Sequence, residues 1–221
     1  MSTTTTFEAL LARKVGADRR GLVVADFVAP AVRIYERFRP RIVTGNVTGN
    51  GTGLYTIDVT VAPWTFWEPG FSRILQIEYP DDEEPPLYLD PNDFTVRRVA
   101  DTGTGTVTQN DELYLRADSP ASSETFRVQY QTRHTVNATS SSVPAVDEEA
   151  VADFAAQLFL EELAVRYSGL VSQEGIGADL IVAYSEKAED ARRNAGAARR
   201  RAQAALGISG DDITGGATLA A

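Results

Sequence analysis

The sequence predicts an α+β fold: helices from both chain ends form a bundle, and an antiparallel β module, a small sandwich or barrel-like unit, is inserted between them. Three observations point there. An alanine seam at heptad spacing runs through residues 177–206, apolar residues alternate with period two across the middle of the chain, and the first forty residues return to helical spacing. At 221 residues, with 43% hydrophobic and 24% charged residues, the chain is long enough to bury a sizeable core.

Residues 1–43 read as helical. Val23, Phe27, Pro30, Ile34 and Phe38 recur at helical spacing, with Asp18 as a cap and Pro40 as a stop. Pro30 is expected to bend this helix or split it in two. The pattern favours an ordinary core-facing stripe over a docking helix.

Residues 44–136 read as the β module of five to seven short strands. Tyr55, Ile57, Val59 and Val61 form one alternating face. Leu75, Ile77 and Tyr79 form another, followed by Leu113 with Leu115 and by Phe126, Val128 and Tyr130. Phe94 with Val96 predicts one more strand, and Leu87 with Leu89 a short one. Glycine, threonine and asparagine cluster at 45–53 and 102–108, which read as hairpin loops. Neither run is followed by the lysine that a phosphate cradle requires.

Residues 137–206 read as a helical pair that completes the bundle, and 207–221 as a flexible C-terminal arm rich in glycine. Ser140–Ser142 form a joint, Pro144 suits a first turn, and Asp147, Glu148 and Glu149 place negative charge at the helix start. The helix through Tyr167 carries two adjacent stripes, Val151/Phe154/Leu158/Val165 and Ala156/Phe159/Leu163/Tyr167, so it is buried on more than one side. The last helix, roughly 45 Å long, carries the seam Ile181, Tyr184, Ala188, Ala191, Ala195, Ala198, Ala202 and Ala205. Six of its ten alanines fall on that seam. Alanine gives little hydrophobic drive, so such a stripe predicts another helix lying very close along it. Arg192 and Arg199 flank the seam on one side, Lys187 and Arg201 on the other, so an acidic partner is expected.

Charge separates between these helices. Residues 147–167 hold six acids against Arg166 alone, and 191–206 hold five arginines and no acid. Glu161 and Glu162 are therefore candidate partners for Arg192 or Arg199, within one subunit or between neighbours. Exposed pairs of this kind are worth only about 0–1 kcal/mol and choose partner and orientation more than they stabilise.

The sequence offers no catalytic constellation. The single histidine, His134, closes a strand and reads as an ordinary hydrogen-bonding residue. No cysteine is present, which excludes disulfides and thiolate chemistry. The acidic run Asp81-Asp82-Glu83-Glu84 lacks the spacing of a calcium loop and reads as a solvated loop. No cofactor and no metal are expected. A net charge of −10 argues against gripping nucleic acid but not against surrounding it. Met1–Thr6 lacks the pattern of a signal peptide and no apolar run is long enough to span a membrane, so a cytosolic origin is expected. The loop 63–71 concentrates Trp64, Phe66, Trp67 and Phe71. It reads first as a plug for the β module, then as a docking site. A third reading, a carbohydrate platform, gives the alternative function: a β-sandwich binding module of a phage tail or surface protein.

The strand-rich middle ending at His134-Thr135-Val136, the stretch SSSVPAVDEEAVADFAAQLFLEELAVRYSG and the helix ADLIVAYSEKAEDARRNAGAARRRA together resemble head–tail connector (neck or adaptor) proteins of tailed bacteriophages. The likeness is clearest over about residues 126–206 and architectural before that. It implies a non-enzymatic structural virion protein of the neck, assembled in the host cytoplasm. Its implied form is a homo-oligomeric ring, commonly twelvefold, between the portal protein and a tail terminator or other neck protein. DNA would pass through the ring without specific binding. The resemblance also implies a C-terminal arm that docks on the portal.

Overall fold

A computed structural model describes residues 3–101, 108–116, 119–172 and 177–208, with backbone alone at 100, 101, 108 and 109. It is a mixed α and β structure that divides into two compact units. One comprises residues 1–39 and 134–221; the other comprises 40–133. Among the described residues no helix is long and apolar enough to cross a membrane.

The first unit is helical. Helix α1 (Thr4–Val15) starts at a reciprocal cap in which the Thr6 amide donates to Thr3 Oγ1 and the Thr3 amide to Thr6 Oγ1. It buries Phe7 and Leu11, one turn apart. A 3₁₀ turn at Val24–Phe27 leads into α2 (Val28–Tyr35). Pro30 does not bend α2. It is the third residue of that helix, where the amide it lacks would have no intrahelical acceptor.

The apolar stripe expected here is only partly buried: Phe27 and Ile34 pack against the core, but they are not its most enclosed residues. The buried face is Val28, Ala31, Val32 and Tyr35, whereas Val23 is 57% exposed and Phe38 39%. Both faces of this stretch are apolar, and on the more buried one the Tyr35 hydroxyl finds a buried acceptor, Asp147. Asp18 is no cap either; it accepts the Tyr167 hydroxyl proton, which holds its carboxyl below the usual range.

Helix α3 (Glu148–Val171) follows a 3₁₀ turn at Ala145–Asp147. Its first turns are buried on every side from Ala150 to Ala156. A helix so enclosed is a central element, and α1, α2 and α4 (Ala178–Ala205) all pack on it. Phe27 meets Phe159 edge to face at 5.2 Å, and Phe38 stacks on Phe154 at 6.0 Å. Val165, placed in a stripe by its spacing, is instead 64% exposed. The joint at Ser140–Ser142 is ordered by Asn137, whose Oδ1 accepts from the Thr139 and Ser140 amides, and by a bridge between Val136 and Ser141.

The second unit is a sandwich of two open three-stranded antiparallel sheets, not a barrel. One sheet has the order β1 (Arg41–Thr48), β6 (Thr125–Thr132), β3 (Arg73–Glu78); the other has β2 (Leu54–Thr56), β5 (Thr108–Leu115), β4 (Phe94–Asp101). Facing side chains fill the space between: Phe126, Val128, Tyr130 and Ile77 from one sheet meet Tyr55, Leu113 and Leu115 from the other.

Strand β1 falls where the sequence reads a helix end and then a turn cluster. Gly45 explains the disguise: a Cβ there would lie 2.3 Å from the Pro63 Cβ, so the strand needs glycine at a close crossing. The face expected through Val59 and Val61 ends early, with Tyr55 and Ile57 buried but Val59 and Val61 in an exposed turn. A register shift between Ile74 and Gln76 turns Leu75 outward and leaves Ile77 inside. Leu87–Leu89 forms no named strand; Tyr88 makes a single bridge to Glu78. Residues 102–107 of the loop expected at 102–108, and 209–221 of the arm, lie outside the described residues.

Candidate assembly surface

The alanine seam has a partner inside the chain. Ala188, Ala191, Ala195, Ala198 and Ala202 are buried on α4, and α3 runs antiparallel beside them. Arg201 reaches Asp153 near one end of the pair, Arg192 reaches Ser168 Oγ, and Tyr184 stacks on Tyr167 at 6.2 Å. At about 0.8 kcal/mol per buried methyl, five alanines contribute only about 4 kcal/mol. The gain is geometric: small side chains let the backbones approach closely.

This corrects the interface reading of the seam. Ala188, Ala191, Ala195 and Ala198 are covered by α3 and unavailable to another copy. Ile181 and Tyr184 are half-buried, and Ala205 is exposed. Arg20 lies over the rings of both Tyr167 and Tyr184, 5.3 Å from each centroid, and seals that end of the helix pair.

Two buried aspartates organise the helices. Asp147, at the start of α3, accepts the Tyr35 hydroxyl at 2.6 Å and the Arg39 guanidinium at 3.1 Å. Burial first, and then this hydrogen bond, push the Tyr35 phenol well above its ordinary pKa. Asp153, 5% exposed, takes Lys14 of α1 at 3.1 Å and Arg201 of α4 at 3.1 Å, so one carboxylate ties three helices. Composition shows both residues only as members of an acidic run. Their partners lie tens of residues away and leave no local signal.

The exposed charges are arranged differently from the pairs expected. Glu161 accepts from Gln157, and Glu162 meets Arg166 at 3.4 Å, both within α3. Arg192 binds Ser168, Arg193 pairs with Asp190, and Arg199 and Arg200 are exposed on α4. Neither Glu161 nor Glu162 is joined to Arg192 or Arg199 within the chain.

The aromatic loop is a plug. Trp64 and Trp67 are each 4% exposed and pack with Tyr130 at 5.6 and 5.4 Å between ring centroids. The Trp67 indole N–H donates to buried Asp111 at 2.9 Å, and Arg98 binds the other oxygen of that carboxylate at 3.1 Å. Phe66 alone of the three candidates is exposed, at 44%, and Arg41 covers its face 3.9 Å from the centroid. The two tryptophan faces needed for a sugar platform are spent inside the sandwich.

His134 bridges Ser142 Oγ and the Arg39 carbonyl, while its amide donates to Glu36 at 2.7 Å. In the acidic loop, Asp81 accepts from Thr125, and Asp82 binds Arg127 at 3.0 Å. Among the described residues, no group of three or more His, Asp or Glu is arranged to hold a metal ion. Comparison with protein-family models and with curated proteins finds no match.

Proposed function

We propose that this chain is a structural virion protein, a head–tail connector that forms a ring between the portal and the next neck or tail protein. The observation that carries the reading is the separation of charge on one helical unit. Residues 191–206 on α4 hold five arginines and no acid, while α3 exposes Glu161 and Glu162. Within the chain Arg201 is spent on Asp153, Arg192 on Ser168 and Arg193 on Asp190, whereas Arg199 and Arg200 stay exposed and no bond joins them to Glu161 or Glu162, so their charge is open to a neighbour.

Surfaces of opposite charge on one subunit favour heterologous contacts, in which each copy meets the next through a different face. Repeated with a closing rotation, such contacts make a ring. A net charge of −10 suits a conduit that lets duplex DNA slide rather than bind. The resemblance over residues 126–206 supplies the location in the neck. The alternative carbohydrate module loses its support because Trp64 and Trp67 are buried.

Negative-stain electron microscopy of the chain, alone and co-expressed with a portal protein, tests the proposal. Rings, or a collar on the portal, are expected. A particle-free monomer in both preparations, or specific glycan binding by such a monomer, would overturn it.

A further inference from the structure

An uncovered groove on the helical unit complements the arginines of α4. Its floor is apolar: Phe27 and Pro30 on one wall, Leu158 and Val165 of α3 on the other, enclosing about 370 Å³. Asp26, Glu161 and Glu162 rim it, Glu162 also meeting Arg166 at 3.4 Å. Val165 is 64% exposed at its mouth, and nearby Val23 is 57% exposed. Among the described residues nothing fills it. Apolar side chains left open inside a ring of like charge mark a contact surface more than a solvated face.

The opposite side of α4 carries the complement. Arg193 and Arg200 are exposed, two turns apart, with Gly196 and Ala197 between them, and Arg193 also pairs with exposed Asp190 one turn earlier. Leu158 and Val165 are also seven residues apart, so both surfaces span about 10 Å along their helices. Gly196 adds an independent observation. Glycine inside a helix costs about 1 kcal/mol relative to alanine, yet a Cβ at Gly196 would meet nothing nearer than the Arg200 guanidinium at 3.7 Å. The chain's own packing does not require glycine there.

Resting on the reading of the chain as an assembly part, we infer that the groove between the Val24–Phe27 turn and α3 receives the Arg193–Arg200 face of α4 from a second copy, head to tail. The arginine stems lie along the apolar floor and their guanidinium groups reach Asp26, Glu161 and Glu162. Val165 packs over Gly196 as the Arg200 guanidinium, now 3.7 Å from that position, swings to the acidic rim. Residues 209–221 fit the groove less well, since they carry Asp211 and Asp212 and no base against an acidic rim.

Sedimentation velocity of the full chain over roughly 1–100 µM, in low salt, tests this directly. Wild type is expected to associate beyond a dimer. The double variants Arg193→Glu/Arg200→Glu and Glu161→Arg/Glu162→Arg should each weaken association at least tenfold, with unchanged far-UV circular dichroism. An equimolar mixture of the two should recover it, because opposite charges again face each other. Gly196→Leu should block association while leaving the monomer's melting temperature equal or higher.

A wild type that stays monomeric overturns the inference, as does association indifferent to both double variants. Duplex-DNA binding that depends on Arg193 and Arg200 without any effect on association would also overturn it, as would association lost only on truncation after Ile208. A ring seen by microscopy that survives both charge reversals would sink this contact and leave the connector reading standing. Failure to join the portal, with charge-dependent association intact, would do the reverse.

Discussion

Replacing Ala198 with leucine tests whether the seam belongs to the fold or to the assembly. Ala198 and Ala202 are each 0% exposed against α3. Leucine adds three carbons at a fully buried position, so α3 and α4 must separate or the side chain must leave its rotamer. Overpacking of this kind costs about 1–3 kcal/mol. For a unit the size of residues 1–39 with 134–221, each kcal/mol moves the melting temperature by roughly 4 °C. Ala198→Leu should therefore lower it by about 4–12 °C in a far-UV circular dichroism melt, independently of protein concentration. Ala204→Leu, on the exposed side of the same helix, should stay within about 2 °C, as surface substitutions do. Equal melting of the two variants would refute the packing argument. So would an Ala198→Leu chain that melts like wild type but no longer self-associates, since the seam would then lie between copies.

Three further outcomes follow from the polar nodes. Asp147→Ala leaves the Tyr35 hydroxyl buried without its acceptor and should cost about 2–3 kcal/mol in urea unfolding. Asp147→Asn keeps an acceptor for Tyr35, loses the Arg39 ion pair and should cost less. Asp111→Ala removes the acceptor of the Trp67 indole N–H and should cost about 2–3 kcal/mol, with a shift in tryptophan emission. The Tyr35 phenol titrates above its ordinary value of 10.0 in the folded chain. Above about pH 10 the unfolded chain gives up that proton first, so stability is complete below pH 10 and falls as pH rises, by at most about 1.4 kcal/mol per pH unit. Tyr35→Phe should reduce that alkaline slope without abolishing it, since burial also raises the Tyr55, Tyr130 and Tyr167 phenols, and an unchanged slope would show that Tyr35 does not contribute.

The parts of the fold legible in the sequence are those where one periodicity dominates. α4 is written in its alanines, and Phe126, Val128 and Tyr130 mark a strand whose alternation is unbroken. The two stripes on α3 foretold a helix buried on more than one side, which its position among α1, α2 and α4 explains. Misreadings arise where two signals compete. Gly45 and Asn46 read as a turn because the requirement for glycine comes from Pro63, eighteen residues further on. The Val23–Phe38 stripe and the Val28–Tyr35 stripe are both helical, and the second is the more buried, with Tyr35 bonded to Asp147 more than a hundred residues away. Leu75 breaks an alternation that a bulge had already reset.

The candidate surface divides in the same way. The seam implied a close helical neighbour, but spacing alone does not say whether that neighbour is in the same chain. α3 occupies that place. The acidic and basic runs were visible in composition. Which members are spent inside, such as Asp153 on Lys14 and Arg201, and which stay outside, such as Arg193 and Arg200, is decided by helix phase and by contacts distant in sequence. The tryptophans were legible as a cluster. Their role as a plug became visible only with Asp111 and Tyr130 around them.

The measurement that bears most directly on the account is native mass spectrometry of the chain, alone and mixed with the portal protein. One closed oligomer at an integer multiple of 23.9 kDa, free or bound to the portal, is the expected result. A species that remains at 23.9 kDa under both conditions would contradict it.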